Sequence, residues 1–193
     1  STAHRTAEGW AYGFPELSEA HRAAVENSGR VANPGCHASG FIALVYPLIA
    51  AGALGKDARL SCFSLTGYSG GGKKMIAEYE QETRSEFLNA PRQYGLTQAH
   101  KHLKEMQALC GLEVPPVFSP VVGDFYAGMQ VSVPLFASAE KLREIYAEHY
   151  KNSKLIRLAA GEEYGAFLPA NALAGRDDMY ISVYGNAERA VCV

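Results

Sequence analysis

The chemistry-bearing stretch is Asn33-Pro34-Gly35-Cys36-His37-Ala38-Ser39-Gly40, in which a tight turn delivers a cysteine to the start of an apolar run. A cysteine at a helix N-terminus has a physical use. The unpaired N–H groups and the helix dipole there stabilise a thiolate. The same N–H groups can hold the oxyanion that forms when the thiolate attacks a carbonyl. Gly35, just before the cysteine, is expected to let a substrate approach the backbone closely. His100-Lys101-His102 supplies a partner, because a thiol nucleophile needs a group to take and return protons and histidine titrates in the useful range. At the start of a helix these two rings should point in different directions, one to the cysteine and one to the substrate. Gly67-Tyr68-Ser69-Gly70-Gly71-Gly72-Lys73-Lys74 nearly matches the phosphate-loop pattern, but Lys74 stands where a magnesium-holding hydroxyl is required. Nucleotide triphosphate hydrolysis is therefore not expected. A glycine loop with two lysines at a helix start remains an anion site.

These features together point to acyl transfer on an anionic substrate. From the residues alone, a helix merely beginning on a small residue, a pair of solvated histidines and a plain strand-to-helix turn stay open. No metal site is expected: the four cysteines, at 36, 62, 110 and 192, form no C-x-x-C pair, and the histidines bring no further ligands at zinc spacing. Cys62, Cys110 and Cys192 sit in or beside apolar segments and read as buried small hydrophobes.

The elements that must position these groups can be read from periodicity. A helix is expected over 18–27 with Ser18 as N-cap, and a strand over 30–32. A second helix should run from Cys36 to Ala51, buried on most sides and bent or interrupted near Pro47. Ala58–Leu65 reads as a strand, followed by the glycine loop and a helix over 73–81. Residues 82–96 look irregular, and a helix from His100 should stop at Gly111. Val117–Val122 and Met129–Phe136 alternate as strands, the second with Met129, Val131, Val133 and Leu135 on one face. An amphipathic helix over 138–150 and strands over 154–158, 179–184 and 189–193 complete the chain. The elements do not alternate strictly. The fold class is therefore α+β, a mixed, largely antiparallel sheet covered by helices.

The 193 residues fit one domain, and the 48% hydrophobic content is ordinary for a globular chain. A formal net charge of -2 gives no case for nucleic acid or membrane surfaces as partners. No stretch reaches the ~18 apolar residues needed to span a bilayer, and the first residues lack the basic start and apolar run of a signal peptide; cytoplasmic placement is the expectation. No G-x-G-x-x-G follows a strand, so no dinucleotide-binding domain is visible.

The motifs resemble those of the N-acetyl-γ-glutamyl-phosphate reductases. Asn33-Pro34-Gly35-Cys36 is similar to that family's cysteine signature, and Ser69-Gly70-Gly71-Gly72-Lys73 to its glycine loop. His100-Lys101-His102 with Glu105-Met106 is similar to its histidine segment. Ser1-Thr2-Ala3-His4-Arg5, Gly9-Trp10-Ala11-Tyr12-Gly13-Phe14-Pro15-Glu16 and Phe118-Ser119-Pro120-Val121-Val122-Gly123 also have counterparts. The matches run in the family's order along nearly the whole chain. His37-Ala38-Ser39, where the family often has aromatic-Pro-Thr, and Lys104, where it usually has proline, depart from the pattern.

The resemblance implies a fold like the C-terminal catalytic domain of glyceraldehyde-3-phosphate-dehydrogenase-like enzymes. It implies that 1–193 is a catalytic and dimerisation domain whose N-terminal nucleotide-binding domain and C-terminal glycine-rich segment are absent. The implied activity is NADPH-dependent reduction of an acyl phosphate through a cysteine thioester, in arginine biosynthesis, by a homo-oligomer (dimer or tetramer). The isolated fragment is expected to be inactive. The implied roles are Cys36 as nucleophile and His102 as acid/base. Arg5, His100 and Lys73 would bind substrate, and Ser69 and Gly70 would border the NADP cofactor. Two rivals stand beside this reading: an aspartate-semialdehyde-type phosphorylating dehydrogenase, against which Pro34-Gly35 discriminates, and a non-catalytic oligomerisation module.

Overall fold

The structure, a computed structural model, describes residues 2–159 and 164–193. Ser1 of the N-terminal motif lies outside the described residues. The chain opens with a 3-10 turn, Thr2–Thr6, and a short strand β1 (Ala11–Tyr12). Helix α1 (Glu19–Asn27) is capped by Ser18, whose hydroxyl accepts the His21 N–H. Strand β2 (Val31–Ala32) pairs with β1 in parallel and leads into helix α2 (Cys36–Ala50). Next come β3 (Ser61–Gly67), a 3-10 turn over Tyr68–Gly71, α3 (Gly72–Glu80) and a short β4 (Arg92–Gln93) in the stretch expected to be irregular. The remaining elements are α4 (His102–Cys110), β5 (Val117–Gly123), β6 (Met129–Leu135), α5 (Ala139–Tyr150), β7 (Ile156–Leu158), β8 (Met179–Ile181), β9 (Val183–Gly185) and β10 (Ala190–Cys192).

Six strands form the main sheet in the order β4-β5-β3-β6-β10-β9. Only β3 and β5 are parallel; every other neighbouring pair is antiparallel. This is the mixed, largely antiparallel sheet that the patterning implies. The span 179–184 is a correction: it is two strands, not one. β8 pairs with β7 in a separate small sheet, and β9 joins the edge of the main one. Between them, Ser182 exchanges two 2.8 Å hydrogen bonds with Val193, so the chain passes from one sheet to the other at that residue.

One sheet face is buried under α2, α4 and α5. Cys62, Phe118, Val131, Val133, Leu135 and Cys192 point into that core, where they join Phe41 and Leu48 of α2, Met106 of α4 and Tyr146 of α5. The opposite face leaves Phe63, Val117, Tyr184 and Val191 exposed. Helix α2 is apolar almost all round because core surrounds it.

Pro47 does not interrupt α2. A proline lacks the N–H that would bond the carbonyl four residues back, here Ala43. The Tyr150 hydroxyl donates to that carbonyl at 2.8 Å, and the Tyr146 hydroxyl donates to Leu44 O at 2.7 Å. The buried orphan is satisfied from α5, so the helix continues.

Candidate active site

Cys36 is the first residue of α2, with Gly35 as the preceding cap, and it is exposed. The N–H groups of that first turn have no partner within the helix. The turn is fixed from α4, one of whose residues, Glu105, is 2% exposed. Its Oε2 accepts the Gly35 N–H at 2.9 Å and the Tyr12 hydroxyl at 3.1 Å, while its Oε1 accepts from Arg5 Nη1 at 2.8 Å. Arg5 Nε also donates to Asn33 O at 2.9 Å. Burial, then the Glu105 charge, drive the Tyr12 phenol far above its usual range.

Glycine at position 35 has a different cause from the one expected. A Cβ there would lie 2.4 Å from both Cδ2 and Nε2 of His102 and 2.7 Å from Arg5 Nη1. The imidazole and the guanidinium, rather than a substrate, occupy the space a side chain would fill.

His100 and His102 converge instead of diverging. Helix α4 starts at His102, so His100 lies in the preceding turn and is free of helical spacing. The two rings meet edge to face with centroids 4.7 Å apart, and His100 Nδ1 accepts the His102 N–H at 3.3 Å. His102 is buried, and its Nδ1 has no hydrogen-bond partner among the described residues. Burial first, then the neighbouring His100, His37, Lys101 and Arg5, push His102 down to about 3. It is neutral at pH 7.

His37 is the residue whose role the motif reading left unassigned. It is buried, with Nδ1 2.6 Å from Ser64 Oγ of β3 and Nε2 2.6 Å from the Tyr94 hydroxyl. Burial, followed by His100 and Lys101, holds it at about 4. The Tyr94 phenol is pushed up to about 12 by burial and then by Cys36. The ligand-capable atoms of Cys36, His37 and His102 all lie within 4.8 Å of one another. Linear spacing gave no hint of this cluster, because the two buried histidines lie 65 positions apart in the chain. Ser64 was legible only as part of an expected strand, and Tyr94 lay in a stretch expected to be irregular.

A cavity of about 490 Å³ opens at Cys36 and is lined also by Gly13, Phe14, Asn33, Pro34 and Ser39. The glycine loop stands apart. It leaves the C-terminal end of β3, three residues beyond Ser64, and Tyr68 N and Ser69 N donate to the carbonyls of Phe125 and Tyr126. Gly72 takes a left-handed φ of 73°, which explains the glycine there. Gly70 and Lys73 are exposed, and Ser69 is half-buried. No hydrogen bond or ring contact among the described residues joins Ser69, Gly70 or Lys73 to Cys36, His100 or His102.

No helix among the described residues is long and apolar enough to cross a membrane. Known proteins share this architecture. Aspartate semialdehyde dehydrogenase II from Vibrio cholerae superposes with a TM-score of 0.67 at 17% identity, over 97% of this chain and 63% of that one. Aspartate semialdehyde dehydrogenase from Francisella tularensis gives 0.63 at 12% identity, over 97% and 66%. At those identities the likeness is one of fold. In sequence, the chain is 39% identical to N-acetyl-γ-glutamyl-phosphate reductase 2 of Nostoc sp. and 43% identical to the N-acetyl-γ-glutamyl-phosphate reductase of Brucella anthropi. Each alignment takes in 96% of this chain, which spans 63% of the length of those relatives. The profile of the family described as semialdehyde dehydrogenase, dimerisation domain, matches residues 36–193, beginning on Cys36 itself, and the chain belongs to that family.

Proposed function

We propose that the chain is the catalytic and dimerisation part of an N-acetyl-γ-glutamyl-phosphate reductase, a cytoplasmic oxidoreductase of arginine biosynthesis. The observation that carries the reading is Cys36 at the first turn of α2 with the neutral His102 ring beside it, in a chain 39–43% identical to reductases of that name.

In this reading the Cys36 sulfur attacks the γ-acyl phosphate carbonyl. His102, neutral and within reach, takes the thiol proton. The N–H groups at the start of α2 hold the oxyanion, phosphate leaves, and a thioester remains on Cys36. Bound NADPH supplies the hydride. His102 then returns a proton as the thiohemiacetal on Cys36 collapses to N-acetyl-glutamate semialdehyde and the thiol. Burial and the neighbouring basic groups lower the basicity of His102, and a phosphorylated substrate beside the ring favours its protonated form. His100 and the guanidinium edge of Arg5 not spent on Glu105 contact the substrate. Exposed Lys73 attracts its phosphate, and the backbone of half-buried Ser69 and exposed Gly70 offers a close approach for the cofactor, an arrangement that fits a phosphate-bearing nucleotide. The 193 residues contain no dinucleotide-binding motif after a strand, so turnover requires a nucleotide-binding domain beyond them. The apolar sheet face bearing Phe63, Val117, Tyr184 and Val191 supports assembly with a second copy.

The test is acylation of the chain itself. Incubation with N-acetyl-γ-glutamyl phosphate followed by mass spectrometry should find the acyl group on Cys36 and release one phosphate. No adduct, or an adduct surviving in Cys36→Ser, overturns the assignment. β-Aspartyl phosphate, run in parallel, should acylate poorly.

A further inference from the structure

Cys36, His37 and His102 combine one sulfur and two imidazoles, the donor set preferred by thiophilic and borderline cations and not by magnesium or calcium. Their ligand atoms lie within 4.8 Å of one another. A tetrahedral zinc site holds its ligands about 3.5 Å apart, given metal–ligand bonds of roughly 2.0–2.3 Å.

The two imidazoles are already built into the fold. His37 and His102 are 3% and 4% exposed, whereas Cys36 faces the cleft and provides an entry path. His37 also has the outer partner that an imidazole ligand needs. In the tautomer that carries its proton on Nδ1, donation to Ser64 Oγ, 2.6 Å away, fixes the ring and leaves the Nε2 lone pair for a metal. In the metal-free arrangement that lone pair faces the Tyr94 hydroxyl at 2.6 Å, which a metal must displace. The Nε2–Cδ2 edge of His102 is pressed against Gly35, immediately before Cys36. The nearby carboxylate, Glu105, is committed to Arg5, Tyr12 and Gly35 and does not compete.

We infer that Cys36, His37 and His102 form a three-ligand site for a thiophilic divalent cation, zinc above all, with the fourth position open to the cleft. Binding replaces the Cys36 S–H bond with a sulfur–metal bond and releases that proton to solvent; no oxidation is involved. The ligand set rests on geometry alone. Its consequence, reversible shut-off of turnover while the metal masks the sulfur, rests on the reading of Cys36 as nucleophile.

The experiment is an oxygen-free titration of the reduced chain with cobalt chloride, followed by the sulfur-to-cobalt charge-transfer absorbance and by competition with zinc. One equivalent should bind, and Cys36→Ser should abolish the band although Cys62, Cys110 and Cys192 remain. His37→Gln, checked for folding by circular dichroism, should weaken binding by about tenfold or more. Tyr94→Phe should tighten it by about two- to tenfold, the worth of the one hydrogen bond that a metal otherwise displaces. That gain cannot come from a misfolded variant. Absence of the band, its survival in Cys36→Ser, or a Tyr94→Phe affinity no higher than the parent overturns the site. A folded His37→Gln variant that binds as tightly as the parent overturns it too. If the cobalt signature follows the expected pattern while the intact enzyme turns over undiminished at saturating zinc, the site stands and the nucleophile reading falls.

Discussion

Glu105 Oε2 accepts the backbone N–H of Gly35 at 2.9 Å, tying the first turn of the α4 helix to the turn that presents Cys36, 70 residues earlier in the chain. The same carboxylate holds Arg5 and Tyr12, so one buried side chain sets the N-terminal segment, the cysteine turn and the histidine helix relative to one another.

Removing that carboxylate leaves the Arg5 guanidinium and the Gly35 N–H without their partner in a nearly closed environment. Glu105→Leu should cost about 3–5 kcal/mol, as breaking one side of a buried pair does. Urea unfolding checks this; a loss below 1 kcal/mol would mean that Arg5 and Gly35 find water instead.

Gly35 has φ of -74°, which any residue adopts, so its substitution is a purely steric test. Gly35→Ala should displace the His102 ring and the Arg5 side chain, destabilise by about 1–3 kcal/mol and reduce Cys36 acylation sharply. Acylation at the parent rate in a folded Gly35→Ala protein would show that the ring's position over the turn is dispensable.

The thiols should divide cleanly with pH. Burial pushes Cys62 and Cys110 up to about 12 and raises Cys192, whereas Cys36 is exposed. Iodoacetamide on the folded chain should therefore label Cys36 alone, and peptide mass mapping reads this directly. Linkage adds a second expectation. The buried thiols have folded values above their ordinary 9.0, so the folded state keeps protons that the unfolded chain loses. Stability from this source is complete below pH 9 and falls as pH rises toward 12. An unfolding midpoint flat across pH 9–11 would contradict it.

Tyr150→Phe strips the donor from the Ala43 carbonyl, which Pro47 cannot serve. A buried acceptor left unpaired costs about 1–3 kcal/mol. Replacing Pro47 by alanine in the same background should restore part of the loss, since an N–H returns four residues on. A double-mutant cycle with no coupling would refute the link.

His102→Asn should lower kcat/KM of the intact enzyme by ~10²-fold or more, the usual worth of a general acid–base group. The diagnostic is the pH–rate profile: a variant that keeps the parent's profile assigns the proton transfers to another residue.

Much of the scaffold was legible because its causes are local. Ser18 caps α1 through its own side chain, the alternation of Met129–Leu135 made β6 half-buried, and Gly111 ended α4 where a left-handed residue was needed. Cys36 was legible for the same reason, since a turn feeding a helix start is written in adjacent residues. What the tertiary structure decided are the relationships between segments far apart in the chain. That His100 and His102 converge depends on α4 starting two residues later than the patterning implies. That His37 is locked between Ser64 and Tyr94, and that Glu105 holds Gly35, depends on α2 and α4 packing under the sheet. The split of 179–184 into β8 and β9 follows from hydrogen bonds to Val193, a partner no local pattern reveals. Side-chain periodicity records which face of an element is buried; only packing determines which polar groups meet on that face.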